Sequence, residues 1–220
     1  LLAKCVESMV SAVSIPITVK CRIGVDDQIP EEVLPKFIDC IANSGCQVFI
    51  IHARKAHLSG LSPAENRNIP PLDYSLVKQM KSLKPNLKIV LNGEIQGVDD
   101  SKKHLLDVDG VMLGRAAYKT PWVLSKVDRE IFQDESEVPS RENIVNAMIE
   151  YASIKVRQGV PLKSITRHLI GLFHAERGAR AWRRALSEEA RLAEAGPEII
   201  QKAADLVFLE TYNEVPEEAA

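Results

Sequence analysis

Leu87-Lys88-Ile89-Val90-Leu91-Asn92-Gly93 and Val108-Asp109-Gly110-Val111-Met112-Leu113-Gly114-Arg115 decide the fold. Each is a short apolar run stopped by a glycine, the pattern of a buried strand. Residues 98–107 between them read as a helix. Strand, helix, strand at this spacing is one βα unit, and such crossovers join parallel strands.

The same alternation extends upstream. Residues 1–13 read as a helix, with Leu2, Val6, Met9 and Val13 at helical spacing. Ile17 to Arg22 reads as a strand after Pro16, ended by Gly24. Residues 31–43 read as a helix stopped by Asn43-Ser44-Gly45. Val48-Phe49-Ile50-Ile51-His52 is a continuous apolar strand. A long polar loop, residues 53–72, closes on Pro70-Pro71, and residues 73–83 read as a helix. A further helix is expected over 121–132. Near-continuous apolar strands argue for a parallel sheet covered on both faces. A doubly wound sheet and half of an eight-stranded βα barrel both fit. No G-x-G-x-x-G follows any strand, which weighs against the dinucleotide-binding form.

The composition changes near residue 136. Gln133 to Ser140 reads as a charged linker, with Ser140 as an N-cap and Asn143 at the capping-box position. Helices are expected over 141–158, 162–175, 178–194 and 197–210, a small bundle. The fold class is therefore α/β plus all-α, with domains at 1–135 and 136–220.

The 220 residues carry a formal charge of −2, which excludes a uniformly basic nucleic-acid coat. Charge is unevenly placed, however. Residues 155–191 hold nine Lys/Arg against three Glu, and residues 192–220 hold one Lys against seven Asp/Glu. Arg177, Arg180 and Arg184 recur at i, i+3 and i+7, with Arg183 beside them. Such a face suits phosphate contacts, or is a solvated face paired with nearby Glu. Apolar residues make up 45%, and no apolar run approaches the roughly 20 residues of a membrane span. Cys5, Cys21, Cys40 and Cys46 form no CxxC pair and read as reduced thiols. The histidines show no metal-ligand spacing.

Lys20, Arg22, His52, Asn92 and Arg115 fall at the C-terminal ends of strands, the face where barrels build their sites. Asn92-Gly93-Glu94 and Gly114-Arg115 end strands 22 residues apart. Each glycine alone is a turn; together they suit a phosphate approached by backbone N–H groups. Lys20 reads as buried, so it needs an anionic partner: the electron-rich edge of a flavin, or a barrel carboxylate. His52 reads as a cofactor donor or a satisfied core histidine. Cys21 faces the opposite side of its strand and is not assigned a catalytic role.

Taken together these segments resemble the flavin-dependent tRNA dihydrouridine synthases. The resemblance is carried by Val19-Lys20-Cys21-Arg22-Ile23-Gly24, Ile51-His52-Ala53-Arg54-Lys55, Leu58 to Pro63 with Glu65-Asn66-Arg67, Ile69 to Tyr74, Asn92-Gly93 and Gly110 to Arg115. Gly178-Ala179-Arg180 and Trp182-Arg183-Arg184 extend it into the helical part. The subgroup most resembled acts on positions 20 and 20a of the tRNA D-loop.

The resemblance implies the C-terminal half of an FMN-binding (βα)8 barrel followed by a helical tRNA-binding domain. It implies that NADPH reduces the flavin, which passes hydride to uridine while a cysteine acid protonates the base. Lys20, His52, Asn92, Gly93, Glu94, Gly114 and Arg115 become flavin contacts, and Glu65, Arg67, Arg180 and Arg183 become tRNA contacts. Glu94 stands where a second glycine is common. None of the four cysteines matches the proton donor, which is expected upstream of Leu1, so the chain reads as a piece of a longer, cytoplasmic or organellar enzyme. A monomer is expected, with no metal and no membrane partner. The competing readings are an FMN barrel oxidoreductase acting on a small molecule and a non-catalytic tRNA-binding module.

Overall fold

A computed structural model describes residues 1–192 and 194–212, without the side chains of 210–212. The acidic residues expected beyond 212 lie outside the described residues. The chain divides into two compact units, Leu1–Gly114 and Arg115–Ala220.

The first unit is a parallel α/β sheet with helices. In order it contains α1 (Leu2–Ala12), β1 (Thr18–Arg22), α2 (Pro30–Ala42), β2 (Val48–His52), a 3-10 turn (Glu65–Arg67), α3 (Tyr74–Leu83), β3 (Lys88–Asn92), α4 (Val98–Leu105) and β4 (Gly110–Met112). The strands pair in sequential order β1-β2-β3-β4, all parallel. A doubly wound sheet reverses its strand order at a switch point. No such reversal occurs among the described strands, an order compatible with part of a barrel.

Alternation along each strand sends one set of side chains to the helices. Phe49, Ile51, Ile89 and Leu91 are fully buried, in one cluster with Leu34, Ile38, Ile41, Val77 and Met80 from α2 and α3. Burying each of these large side chains is worth about 1.5–3 kcal/mol. Local chemistry sets the helix starts: Pro30 opens α2, and the Asp73 carboxylate accepts the Leu76 amide at 2.9 Å to cap α3.

The second unit contains α5 (Arg115–Lys119), a 3-10 turn (Pro121–Leu124), α6 (Val127–Ile131), α7 (Arg141–Arg157), α8 (Lys163–Thr166), α9 (Ala179–Glu188), a 3-10 turn (Glu189–Arg191) and α10 (Glu198–Tyr212). Ser140 and Asn143 form a reciprocal capping box at the start of α7. Trp182 is fully buried, its indole N–H donating to the Leu169 carbonyl at 3.0 Å, and its ring meets Phe173 edge-on at 4.8 Å.

Two helix expectations change. The compact units meet at Gly114, ahead of the composition shift near 136. The reason is packing: Trp122 joins the second cluster, and the Arg141 guanidinium lies 4.3 Å from its ring centroid. The helix expected over 121–132 is broken into a 3-10 turn and α6. The helix expected over 162–175 stops at Thr166, and the chain continues as tight turns. Gly171 is pressed so closely onto the Lys119 carbonyl that a Cβ would overlap it, and Ala175 is left-handed at φ 65. Neither suits a continuous helix.

Candidate flavin and nucleic-acid sites

Parallel register aligns the strand ends. Arg22, His52, Asn92 and Met112 are successive register partners, one from each strand. Two residues earlier, Lys20, Ile50, Val90 and Gly110 form the next row. Both rows point away from the helix-packed face. Lys20, His52 and Asn92 therefore share one side of the sheet.

His52, Asn92 and Gly93 come together tightly. The Asn92 side-chain amide donates to the Met112 carbonyl at 2.8 Å, tying β3 to β4. Gly93 has φ +131, and a Cβ there would fall 2.8 Å from Leu72 Cδ2 and 3.0 Å from His52 Cδ2. Only glycine lets the turn close against the His52 ring. The Tyr74 hydroxyl donates to the Gly93 carbonyl at 2.6 Å and fixes the turn from below. Burial pushes the Tyr74 pKa up, helped by Asp100 and Glu94 and opposed by Arg54.

Lys20 departs from expectation. It is exposed in this chain, so burial does not demand an anionic partner. Partial desolvation nonetheless lowers its pKa from the ordinary lysine value, as does the Arg22 charge, with Cys21 opposing. Cys21 faces the helix side, and burial pushes its thiol pKa up to about 11. A thiol so held is protonated and a poor nucleophile at neutral pH.

Glu94 has φ 50, a left-handed conformation that explains why glycine suits the position. Its carboxylate nevertheless has a partner. Glu94 Oε1 lies 2.8 Å from Nη2 of Arg54, a side chain only 4% exposed whose Nε has no hydrogen-bond partner. Gly114 ends the first unit with open space where a Cβ would project, and Arg115 opens α5 and is exposed.

The loop after β2 is built from within. Arg22 Nη1 donates to the carbonyls of Lys55 and Asn66 at 2.7 and 2.8 Å. Asn66 exchanges two bonds of 2.7 Å with the His57 backbone, and Val25 pairs with Ala56 as a parallel bridge. Glu65 accepts the Ser62 amide at 2.8 Å, so this candidate tRNA contact also caps its own 3-10 turn. The Ser62 hydroxyl and amide hold the Glu65 carboxyl below the ordinary range against a weak burial effect. Arg67 closes the same turn. Sequence reasoning left Arg22, Arg54, Asn66 and Tyr74 without roles; their signal was their place in the motifs flanking His52 and Pro70-Pro71.

In the second unit, Arg177 precedes α9, because Gly178 is a left-handed N-cap. It does not share a helix face with Arg180 and Arg184, as the spacing suggested. Arg184 pairs with Glu188 at 3.0 Å. Arg180 is exposed, while Arg183 lines a concavity of about 270 Å³ with Lys119, Arg167 and His168. Among the described residues, no cluster of three His, Cys, Asp or Glu could hold a metal, and no helix is long and apolar enough to cross a membrane.

Comparison with known proteins adds the relationships. A protein named tRNA-dihydrouridine(20/20a) synthase from Synechocystis is 49% identical over 203 residues, covering 92% of this chain and 61% of its own. Proteins of the same name from Salmonella typhimurium and Escherichia coli K12 are each 50% identical over 208 residues, covering 94% of this chain and 63% and 60% of theirs. The chain thus spans about three fifths of the length of these relatives. The model of the family described as Dihydrouridine synthase (Dus) matches residues 1–208, and the chain belongs to that family.

Proposed function

We infer that this chain is part of a cytoplasmic tRNA-dihydrouridine(20/20a) synthase. That enzyme reduces the C5–C6 bond of uridine in the tRNA D-loop, using FMN and NADPH. The observation that carries the reading is the row Arg22, His52, Asn92, Met112, closed by the Gly93 turn. The relatives' shared name supplies the substrate class. In this reading the four strands form the C-terminal half of a (βα)8 barrel, and the second unit contacts tRNA. The boundary between these roles is then that of the compact units.

The residues present fit a flavin mononucleotide. Gly93 lets the turn close against Leu72 and His52 without a side chain of its own, so the turn presents backbone to the site. When bound, FMN supplies hydride transfer. The chain's own residues bind and orient. Lys20 places a cation on the site face of the sheet, where it would hold the electron-rich edge of the flavin. Its lowered pKa reflects a charge that is already partly desolvated. His52 packs against the Gly93 turn and would orient its ring toward the cofactor. Asn92 spends its amide N–H on Met112, which leaves its carbonyl oxygen to accept. Gly93, Glu94, Gly114 and Arg115 complete the phosphate end. Glu65, Arg67, Arg180 and Arg183 contact the tRNA. None of the four cysteines takes the proton-donor role: Cys21 and Cys46 face the core, and Cys5 and Cys40 lie on α1 and α2.

A small-molecule oxidoreductase would use the same flavin residues but has no need for the cation-lined concavity around Arg183. The test is genetic and chemical. The intact gene product carrying this chain is expected to copurify with flavin. It should restore dihydrouridine at positions 20 and 20a in tRNA from a strain lacking it, read by nucleoside mass spectrometry. A flavoprotein that leaves the uridines unreduced would overturn the reading.

A further inference from the structure

The segment from Glu94 to Asp100, which follows β3 and Gly93, carries three carboxylates and no Lys or Arg. Asp99 and Asp100 sit in the first turn of α4, and Asp100 Oδ2 accepts the Gln96 amide at 3.2 Å. Glu94 adjoins the Gly93 turn directly and is 36% exposed. The turn assigned to the flavin phosphate is therefore acidic in its own sequence. Negative charge beside a phosphate opposes its binding.

A compensating cation comes from the neighbouring loop. Arg54 Nη2 lies 2.8 Å from Glu94 Oε1. The backbone around Arg54 is pinned. The Ala53 N–H donates to the Asn92 carbonyl at 2.9 Å, the Arg54 N–H to the His52 carbonyl at 2.7 Å, and the Asp73 N–H to the Ala53 carbonyl at 2.8 Å. The origin of the guanidinium is thus fixed by β3 and by the cap of α3. The same charges meet at Tyr74, whose hydroxyl holds the Gly93 carbonyl. Burial is the main reason its pKa is raised; Asp100 and Glu94 add to the rise, and Arg54 opposes it.

Stability alone does not account for Arg54. It is 4% exposed, and its Nε has no hydrogen-bond partner. A buried donor left unpaired is destabilising. Buried ion pairs can often be replaced by apolar side chains without loss of stability. A guanidinium kept under those conditions has a use besides folding.

We propose that Arg54 is a positioning residue for the flavin phosphate: it neutralises and holds the Glu94 carboxylate, so that the backbone of the Gly93 turn can receive a phosphomonoester. The inference rests on the flavin reading above. It assigns Arg54 no contact with the flavin itself. What Arg54 contributes is the sign of its charge.

The test compares FMN with riboflavin, which lacks the phosphate. Both are titrated by fluorescence into the flavin-free intact gene product. The variants are Arg54→Met, Arg54→Lys, and Arg54→Met combined with Glu94→Gln, each verified as folded by its melting temperature. Arg54→Met should weaken FMN binding about tenfold and leave riboflavin binding unchanged. Added salt should narrow that loss, because it screens the repulsion. Arg54→Lys should retain most of the FMN affinity. Adding Glu94→Gln to Arg54→Met should restore most of it, although the pair is not rebuilt. Equal weakening of both flavins, or a second substitution that restores nothing, overturns the inference and leaves Arg54 a structural residue. If Arg54→Met alone does not fold, the double variant decides. A preference for FMN over riboflavin like that of the unaltered protein supports the inference, and a lost preference overturns it. An unaltered protein that binds both flavins equally also overturns it, while the flavin reading stands. One that binds neither removes the flavin reading and this inference together.

Discussion

Arg54 and Glu94 stand in the same relation as the strand ends that precede them. His52 is the register partner of Asn92, and each member of the ion pair lies two residues further on. The parallel register of β2 and β3 is thereby carried past the sheet into the two loops. The Arg54 guanidinium is 4% exposed and the Glu94 carboxylate 36%, so the cation depends on this one carboxylate more than the reverse.

Removing the carboxylate therefore strands a buried cation. Glu94→Ala is expected to destabilise the protein by about 2 kcal/mol, below the usual cost for a fully buried pair because water reaches Glu94. Glu94→Gly loses the same pair but relieves the left-handed backbone, recovering about 1 kcal/mol. Urea denaturation of both variants measures the difference. Equal losses would refute the backbone account.

Gly93→Ala should displace the His52 ring or open the turn, because its Cβ would crowd both Leu72 and His52. A loss of about 2 kcal/mol is expected, with weakened flavin retention read from visible absorbance. Tyr74→Phe removes the bond to the Gly93 carbonyl and should cost about 1 kcal/mol. If Gly93→Ala kept its flavin fully, the turn would have no part in holding it.

Cys21 predicts an alkaline limit. Its folded pKa of about 11 lies above that of a free thiol. The neutral form is favoured by folding, so this contribution is complete below the free-thiol pKa and is lost as pH rises towards 11. It amounts to about 2–3 kcal/mol at most. Cys21→Ala should flatten that loss in denaturation measured against pH. Iodoacetamide should modify the exposed Cys5 and Cys40 near neutrality and spare Cys21.

Asp109 predicts the acid counterpart. Burial would raise its pKa, but the Ile89 amide and the Lys81 and Lys88 ammonium groups outweigh that and hold it below the usual aspartate value. Its contribution is present above the unfolded value and is lost as pH falls through the lowered one. Asp109→Asn should lessen the acid dependence of stability, and an unaltered acid limb would exclude this role.

Trp182→Phe leaves the Leu169 carbonyl without its indole donor and opens space beside Phe173. About 2 kcal/mol should be lost, with the unfolding transition of the second unit shifting first in proteolysis.

Much of the first unit is legible in sequence. β2 spans Val48–His52, as the apolar run predicts, because a strand covered by helices needs continuous apolar residues. His52 and Asn92 were legible as strand-end residues for the same reason. The exposure of Lys20 is not legible, because which alternate residues of β1 face the helices is fixed only by packing. Arg54–Glu94 was illegible because it depends on a register that only pairing fixes. The turns after Thr166 escaped because an apolar segment such as Leu169-Ile170-Gly171-Leu172-Phe173 has the same composition in either form. What breaks the helix there is the approach of Lys119, a contact across about fifty positions.

The loop from Ala53 to Leu72 owes its shape to Arg22, Asn66 and the Val25–Ala56 bridge, all supplied by the protein itself. A partner arriving at this loop meets a surface that is already ordered. Association there should proceed as a rigid-body encounter, with a heat-capacity change set by the area of contact and no added signature of coupled folding.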